Sequence, residues 1–234
     1  MKQFGIIGKP LGHSFSEQYF TDIFVREGID AKYQPYELNN INEVQILLEK
    51  LDGFNVTYPY KETILPYLQE LDPVAKQIGA VNVVSHGKGY NTDWLGFMNS
   101  IHDLPQQHQR ALLLETGGVS KAIQYALEQM NIEYTLVGRT RREHVIAYED
   151  LSESVMAAHS LIINCTPLGM HPFEKEKPNI PYHWLNEKHT LYDCIYNPEK
   201  TLFLLEGEQR GCTIKNGLEM LHRQADQAKI IFAV

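Results

Sequence analysis

The feature that most limits the fold of this chain is the alternation of short apolar runs with amphipathic stretches. In the N-terminal half the apolar runs have the length of strands, and the stretches between them have helical spacing. The predicted strands are 4–7, 31–38, 53–57 and 80–85, and the predicted helices are 16–27, 42–51 and 61–71. Such alternation is typical of a parallel or mixed sheet with helices on its faces.

A second alternation begins after the polar stretch 104–109, which indicates a boundary. Its predicted strands are 111–114, 133–137, 161–164, 190–193 and 212–215, and its predicted helices are 119–130 and 218–232. A length of 234 residues suits one large or two small domains. We therefore expect two α/β domains flanking a cleft, the second a Rossmann-like, doubly wound nucleotide-binding domain, with the ligand in the cleft.

Composition and charge exclude several classes of protein. The chain is 43% hydrophobic and 21% charged, which is typical of globular domains. A net charge of −8 without a long basic stripe disfavours nucleic-acid and anionic-membrane partners. The apolar run Phe4–Ile7 is too short for a signal peptide or a membrane span. Three cysteines are an odd count that indicates reduced thiols, so we expect a cytoplasmic protein.

Two segments of the second half predict a nucleotide site. Gly117 and Gly118 lie between a predicted strand and a helix, where a helix N-terminus can hold a pyrophosphate. Taken alone, this glycine pair fits an ordinary tight turn equally well. The next strand ends about 20 residues further on, where an NAD-binding unit has an acidic residue. Here three arginines lie between Arg139 and Arg142 with no acid before Glu143, which favours the 2′-phosphate of NADP.

Polar residues near strand ends mark a second candidate site in the first half. Ser14 and Ser16 open a predicted helix, where they could cap the helix or bind a small carboxylate. Lys61 follows a strand and a proline turn, at a helix start where the dipole disfavours a cation, so a structural role explains it poorly. Asp93 precedes a predicted helix at 94–101 and fits an N-cap well.

Seven motifs run through the chain in a fixed order. They are Gly-x-x-Gly-x-Pro-Leu-x-His-Ser-x-Ser from Gly5, Asn-Val-Thr-x-Pro-x-Lys-Glu from Asn55, Ile-Gly-Ala-Val-Asn from Ile78, Tyr-Asn-Thr-Asp-x-x-Gly-Phe from Tyr90, Asn-x-Thr-Pro-Leu-Gly-Met from Asn164, Asp-x-x-Tyr-Asn-Pro from Asp193 and Asn-Gly-Leu-x-Met-Leu-x-x-Gln-Ala from Asn216. Together they resemble the shikimate dehydrogenase family, and the resemblance runs from Lys2 to nearly the C-terminus.

This resemblance implies an enzyme of aromatic amino-acid biosynthesis that interconverts 3-dehydroshikimate and shikimate with NADP(H). It implies Lys61 and Asp93 as the catalytic pair. It implies that the substrate is held by Ser14, Ser16, Thr57, Asn82, Tyr196 and Gln224, together with Asp93. It implies that NADP is held by Gly117, Gly118, Val119, Arg139, Thr140, Arg142, Cys165, Thr166 and Gly217.

The resemblance also implies an organisation for the chain. Residues 1–98, completed by the helix at 218–234, would bind the substrate, and residues 99–217 would bind NADP. The partners expected are small molecules alone, with no metal, and the enzyme would be a monomer or a homodimer.

Two positions depart from the family pattern. Glu115 stands where the family's loop usually has glycine, and Gly138 stands where it usually has asparagine. A carboxylate at position 115 would face the pyrophosphate, so we expect weak NADP binding unless Glu115 turns away, toward Arg139. Two alternatives therefore stay open: a quinate/shikimate dehydrogenase that uses NAD, and a non-catalytic shikimate-binding relative with impaired cofactor binding.

Overall fold

The structure is a computed structural model that describes residues 1–11, 15–104 and 108–234. Ser14 lies outside the described residues. The chain divides into two compact units, one made of Met1–Trp94 with Arg223–Val234 and the other of Leu95–His222. Each unit combines helices with one sheet, which confirms the predicted α/β class. The assignment of substrate and cofactor to separate domains stays a prediction.

The first unit is built on a mixed sheet. Its strands are β1 (Lys2–Gly8), β2 (Ala31–Glu37), β3 (Gly53–Val56), β4 (Glu70–Leu71), β5 (Val83–Ser85) and β6 (Lys88–Tyr90), in the order β2-β1-β3-β5-β6-β4. Strand β1 runs parallel to β2 and β3, whereas β5 is antiparallel to both β3 and β6. The helices that follow these strands are α1 (Phe15–Glu27), α2 (Val44–Lys50) and α3 (Pro73–Ile78), and α4 (Asp93–Ile101) begins in this unit and continues into the second.

Apolar side chains of this unit form two core clusters. One gathers α2 and β3 around Phe54 and Val44. The other gathers α1, β1 and β2 around Phe20, whose ring stacks on Tyr33 at a centroid distance of 4.8 Å. Helix α1 buries Phe20, Ile23 and Phe24 along one stripe, which is the pattern that predicted it.

One element predicted for this half is wrong. The helix predicted at 61–71 is a turn followed by a single 3₁₀ turn, Leu65–Tyr67, and the short strand β4. Pro66 explains the difference, because proline has no backbone N–H and its ring clashes with the carbonyl four residues earlier. The consequence for the site is that Lys61 lies in a turn.

The second unit is built on a fully parallel sheet. Its strands are β7 (Arg110–Leu114), β8 (Glu133–Gly138), β9 (Val145–Ala147), β10 (Leu161–Asn164), β11 (Thr190–Asp193) and β12 (Thr213–Lys215), in the order β12-β11-β10-β7-β8-β9. Its helices are α5 (Gly118–Gln129), α6 (Glu153–Ala158) and α7 (Leu202–Glu208). Counted from β7, the strand order is 3-2-1-4-5-6, the doubly wound order of dinucleotide-binding domains.

The C-terminal helix α8 (Leu218–Phe232) carries the chain from the second unit back to the first. Its last residue, Phe232, packs on the ring of Phe4 at 4.9 Å and on that of Phe20 at 5.5 Å. A Cβ at Gly53 would lie 2.7 Å from the Phe232 ring, so only glycine fits beneath it. Among the residues that the structure describes, no helix combines the length and apolarity needed to cross a membrane.

Candidate active site

Strand direction brings the polar residues of the first unit to one edge of its sheet. Thr57 follows the carboxyl end of β3. Because β5 is antiparallel to β3, Asn82 lies at the start of β5 on that same edge, and its carbonyl accepts the Val56 N–H at 2.8 Å. Strand β6 reverses direction again, so Asp93 also follows at this edge. Residues far apart in the chain thus meet at one place.

Lys61 and Asp93 form an ion pair at this edge. Lys61 Nζ donates to Asp93 Oδ2 at 2.6 Å, and the two side chains are 13% and 1% exposed. The backbone of Lys61 is held by its carbonyl, which accepts the Val81 N–H at 2.8 Å. Asp93 is the first residue of α4, and its carboxylate contacts Lys61 and Asn82, although the sequence favoured an N-cap role. The pair places an ammonium proton donor beside a buried carboxylate.

Asn82 links Asp93 to the C-terminal helix. Its buried Nδ2, which carries two hydrogens, lies within hydrogen-bond distance of three acceptors, Asp93 Oδ1 at 3.0 Å, Thr92 Oγ1 at 2.9 Å and Gln224 Oε1 at 2.9 Å. Its Oδ1 accepts the Thr92 N–H at 2.7 Å. Since both ends of the amide are used, the Asn82 side chain has a defined orientation and fixes the Asp93 carboxylate. Four predicted residues, Lys61, Asn82, Asp93 and Gln224, are therefore connected.

The other two described residues predicted for the substrate are Ser16 and Tyr196. Ser16, in the first turn of α1, is half-buried and hydrogen-bonds the hydroxyl of Tyr33. Burial raises the pKa of that tyrosine well above its usual value, and the Ser16 hydrogen bond works in the opposite direction. Tyr196 belongs to the second unit and is 36% exposed.

In the second unit every strand ends at the same edge because all of them are parallel. The order of the chain reverses between β7 and β10, which is where doubly wound domains bind nucleotides. Gly117 caps α5 without any side-chain acceptor, and nothing lies within 4 Å of the place where its Cβ would be. Gly118 and the half-buried Val119 begin the helix. This open helix N-terminus fits a phosphate of a dinucleotide.

Glu115 occupies the first position of this loop in an unfavourable backbone conformation. Its φ is 96°, a value that favours glycine and is strained for a residue with a side chain. Its carboxylate does not turn away from the loop, because Oε1 accepts the N–H of Thr116 at 3.0 Å. The carboxylate therefore occupies the Thr116 N–H, which belongs to the loop that binds phosphate in doubly wound domains.

The three arginines after β8 have different surroundings. Arg141 forms an ion pair with Asp150, and Arg142 Nη2 donates to Thr116 Oγ1 at 3.1 Å, beside the glycine loop. Arg139 is exposed and makes no ion pair with any residue that the structure describes. Thr140 next to it is exposed as well. Arg139 is thus the guanidinium most available to a phosphate.

Cys165 and Thr166 follow β10, but the two side chains differ in availability. Thr166 is buried, and both its N–H and its hydroxyl donate to Asn164 Oδ1, at 3.0 and 2.7 Å. The half-buried Cys165 faces Cys194, which follows the neighbouring strand β11. Gly217 is explained by packing, because a Cβ there would lie 2.2 Å from the carbonyl oxygen of Cys194.

Asp193, at the end of β11, is a central residue that the sequence reading did not single out for a role. Its carboxylate is fully buried and accepts hydrogen bonds from Thr201 Oγ1 at 2.6 Å and from Asn164 Nδ2 and the Ile195 N–H at 3.0 Å each. All three donors are neutral, so burial dominates and raises its pKa to about 7. The sequence signal that could have identified Asp193 is its position, because it is a polar residue at the end of an apolar strand.

No group of three or more metal-ligating side chains is found across residues 1–11, 15–104 and 108–234.

The sequence and the fold of this chain are similar to those of several known proteins. Residues 6–84 match the family model of the shikimate dehydrogenase substrate binding domain. A shikimate dehydrogenase (NADP(+)) of Bacillus cereus is 39% identical over 94% of this chain and 88% of its own length. The shikimate dehydrogenase structure from Aquifex aeolicus is 30% identical, with a TM-score of 0.87 over 99% of this chain and 92% of that one.

A third comparison includes bound ligands. The shikimate 5-dehydrogenase of Thermus thermophilus, solved in complex with NADP(H) and shikimate, is 26% identical to this chain. Its TM-score is 0.87, and the match covers 99% of this chain and 93% of that one.

The raised pKa of Asp193 predicts a pH dependence of stability. Between pH about 4 and pH 7 the folded chain binds this proton more tightly than the unfolded chain does. The contribution of Asp193 to the unfolding free energy therefore falls as pH rises, by up to about 4 kcal/mol across that window. Asp193→Asn keeps the size of the side chain and the acceptor for Asn164 Nδ2 and the Ile195 N–H, reverses the hydrogen bond with Thr201 and removes the titration. Urea denaturation at several pH values should give a flatter profile for the variant.

The matched control is Glu153→Gln, which removes an exposed carboxylate of the same unit. Its profile should follow that of the unmodified protein. An Asp193→Asn profile parallel to the unmodified one would mean that Asp193 is ionised throughout this range.

Proposed function

Since the chain belongs to the shikimate dehydrogenase family, we propose that it interconverts 3-dehydroshikimate and shikimate by hydride transfer with NADP(H), with Lys61 and Asp93 as its catalytic pair. The observation that carries this proposal is the ion pair of 2.6 Å at the edge of the first sheet, where Asn82 and Gln224 also lie. The direct test is to follow NADPH absorbance with shikimate and NADP, and in parallel with quinate and NAD.

The reaction needs a proton donor. NADPH supplies the hydride when bound, and the ketone oxygen that receives negative charge must then gain a proton. The Lys61 ammonium can give that proton, and in the oxidative direction the neutral amine can take it from the substrate hydroxyl. Because Lys61 is only 13% exposed, water competes little for its N–H groups.

Asp93 and Asn82 position the ammonium. Asp93 Oδ2 accepts from Lys61 while Oδ1 accepts from Asn82, so each carboxylate oxygen has a defined partner. The carboxylate also offsets the Lys61 charge, which a nearly buried ammonium requires. We propose that Asp93 orients both Lys61 and a ring hydroxyl of the substrate, with Thr57, Asn82 and Gln224 bonding the other hydroxyls.

The substrate carboxylate would be held by hydroxyl groups. Ser16 lies in the first turn of α1, where the helix dipole stabilises an anion, and Ser14 would complete the pair. Tyr196 is proposed as a further substrate contact from the second unit.

NADP would be held by the carboxyl edge of the second sheet. The open N-terminus of α5 at Gly117, Gly118 and Val119 suits the pyrophosphate, and Arg139, Thr140 and Arg142 suit the 2′-phosphate. We propose Cys165 and Thr166 as further contacts of NADP and Gly217 for the nicotinamide end. Because an odd count of three cysteines is atypical of a disulfide framework, we propose a cytoplasmic enzyme that is a monomer or homodimer.

Removal of Lys61 tests the catalytic pair. Lys61→Ala should lower kcat by about 10²- to 10⁴-fold, the usual loss for a positioned general acid or base. Lys61→Arg keeps a cation beside Asp93 but holds its proton too tightly to give it up, so it should fold normally and show a similar loss. Asp93→Asn should also depress kcat. Steady-state kinetics and thermal denaturation of all three variants provide the measurements.

Near-normal kcat in Lys61→Arg would contradict the proton-donor role. If Asp93→Asn lost about 1 kcal/mol of stability and kept its activity, Asp93 would be a structural cap only.

Arg139 should determine the choice of cofactor. Arg139→Ala should raise KM for NADP and leave KM for NAD little changed, because NAD has no 2′-phosphate to lose a contact. Arg141→Ala is the matched control, since Asp150 already holds that guanidinium. If Arg139→Ala raised KM equally for NADP and NAD, Arg139 would have a structural role and no contact with the 2′-phosphate.

Glu115 should weaken NADP binding. At about 6 Å and an effective dielectric of about 20, repulsion between two like charges is on the order of 3 kcal/mol. Screening reduces this to about 1–2 kcal/mol, or roughly 5–30-fold in affinity. Glu115→Gly should therefore tighten NADP binding by that factor in isothermal titration and leave shikimate binding unchanged.

Glu115→Gln separates charge from shape, because it keeps the side chain and its acceptor for the Thr116 N–H. A gain in Glu115→Gly that Glu115→Gln does not share would assign the effect to backbone strain and to the occupied amide. No gain in either variant would refute the repulsion.

A further inference from the structure

The carboxyl edge of the second sheet carries a close pair of thiols. Cys165 directly follows β10 and Cys194 directly follows β11, and the two strands are paired with Asn164 opposite Asp193. The pairing continues past the strand ends, since the Cys194 N–H donates to the Asn164 carbonyl at 3.0 Å. The two sulfurs are 3.7 Å apart, and both side chains are half-buried.

Backbone geometry at this position suits a disulfide. Neighbouring strands are about 4.8 Å apart, which lies within the Cα separation that a disulfide spans. Bringing the sulfurs together therefore requires side-chain rotation, without separation of the strands. The third cysteine, Cys212, is buried apart from this pair, with its Sγ 3.3 Å from the carbonyl of Asn186.

We propose that Cys165 and Cys194 are a redox-active dithiol, and that their disulfide weakens the binding of NADP. The first clause stands on the geometry of the two thiols alone. The second clause rests on the proposed function, which assigns Cys165 to the cofactor.

The oxidant belongs to the class of low-molecular-weight disulfides. One of the two protein thiolates attacks one sulfur of the oxidant, forms a mixed disulfide and releases the first small thiolate. The other protein thiolate then attacks the protein sulfur of that mixed disulfide and releases the second. Two protein sulfurs lose two electrons to the oxidant, and the two thiol protons pass to the released thiolates through solvent.

The disulfide would act on the cofactor edge through its own loops. Cys165 stands between Asn164 and Thr166, which are joined by two hydrogen bonds. The carbonyl of Cys194 packs against Gly217 so closely that no side chain fits between them. A disulfide therefore fixes the side chain of Cys165, which the proposed function assigns to the cofactor, and restrains the two segments that flank the pair.

The experiment uses the full chain, equilibrated in mixtures of reduced and oxidised glutathione. Free-thiol titration, intact mass and peptide mapping report the chemistry, and isothermal titration reports NADP affinity. We expect loss of two of the three thiols, a mass lower by two hydrogens and a peptide joining Cys165 to Cys194. NADP should bind about tenfold more weakly to the oxidised chain, which corresponds to roughly one hydrogen bond to a charged group, and dithiothreitol should restore the affinity.

Two variants complete the design. Cys194→Ser should form no intramolecular disulfide, and its NADP affinity should not respond to the glutathione ratio. Cys212→Ser should behave as the unmodified chain does. Three thiols that survive in oxidised glutathione, or a glutathione adduct that never closes, would overturn the dithiol.

The readouts separate this proposal from the proposed function. A disulfide that forms without changing NADP affinity would overturn the second clause alone. A chain that forms the disulfide but binds NADP in neither state would overturn the cofactor assignment and the second clause, and would establish the first.

Discussion

The direction of the strands decides where nearly every polar residue of interest in this chain lies. In the second unit all six paired strands of the described sheet are parallel, so each strand delivers the residues after it to the same edge. In the first unit the antiparallel pair β5 and β6 has a similar effect, because Asn82 precedes one strand and Asp93 follows the other. Apolar side chains hold the strands in register, and the strand ends are free to carry chemistry.

Each unit contains a buried carboxylate, and the two carboxylates have different kinds of partner. Asp93 is neutralised by Lys61 and held by Asn82, so its charge has a partner. Asp193 has three neutral donors instead, and its raised pKa follows from burial. The first arrangement leaves an ammonium proton available for chemistry. The second ties the ends of β10 and β11 to Thr201 and the start of α7.

The carboxyl edge of the second sheet concentrates strain and reactivity. Glu115 follows β7 with a left-handed backbone, and Cys165 follows the adjacent strand β10. The Glu115 charge is near enough to contribute to the raised pKa of Cys165. Strained or reactive groups at such an edge fit a ligand site, because interior packing positions would select against them.

The periodicity of the sequence predicted the α/β class and most strands of both sheets, because apolar runs of this length are buried in any fold that the chain adopts. It missed the short strands β4, β6 and β9, which have no such run. Motif order was sufficient to identify the family and to nominate Lys61, Asn82, Asp93 and Gln224. Local pattern failed at 61–71, where Pro66 breaks the predicted helix. Only the tertiary structure decided that Asn82 joins Asp93 to Gln224 and that Cys165 faces Cys194. These contacts join residues that are far apart in the chain, because strand pairing and side-chain direction bring them together in space. The order of residues along the sequence does not contain those spatial distances.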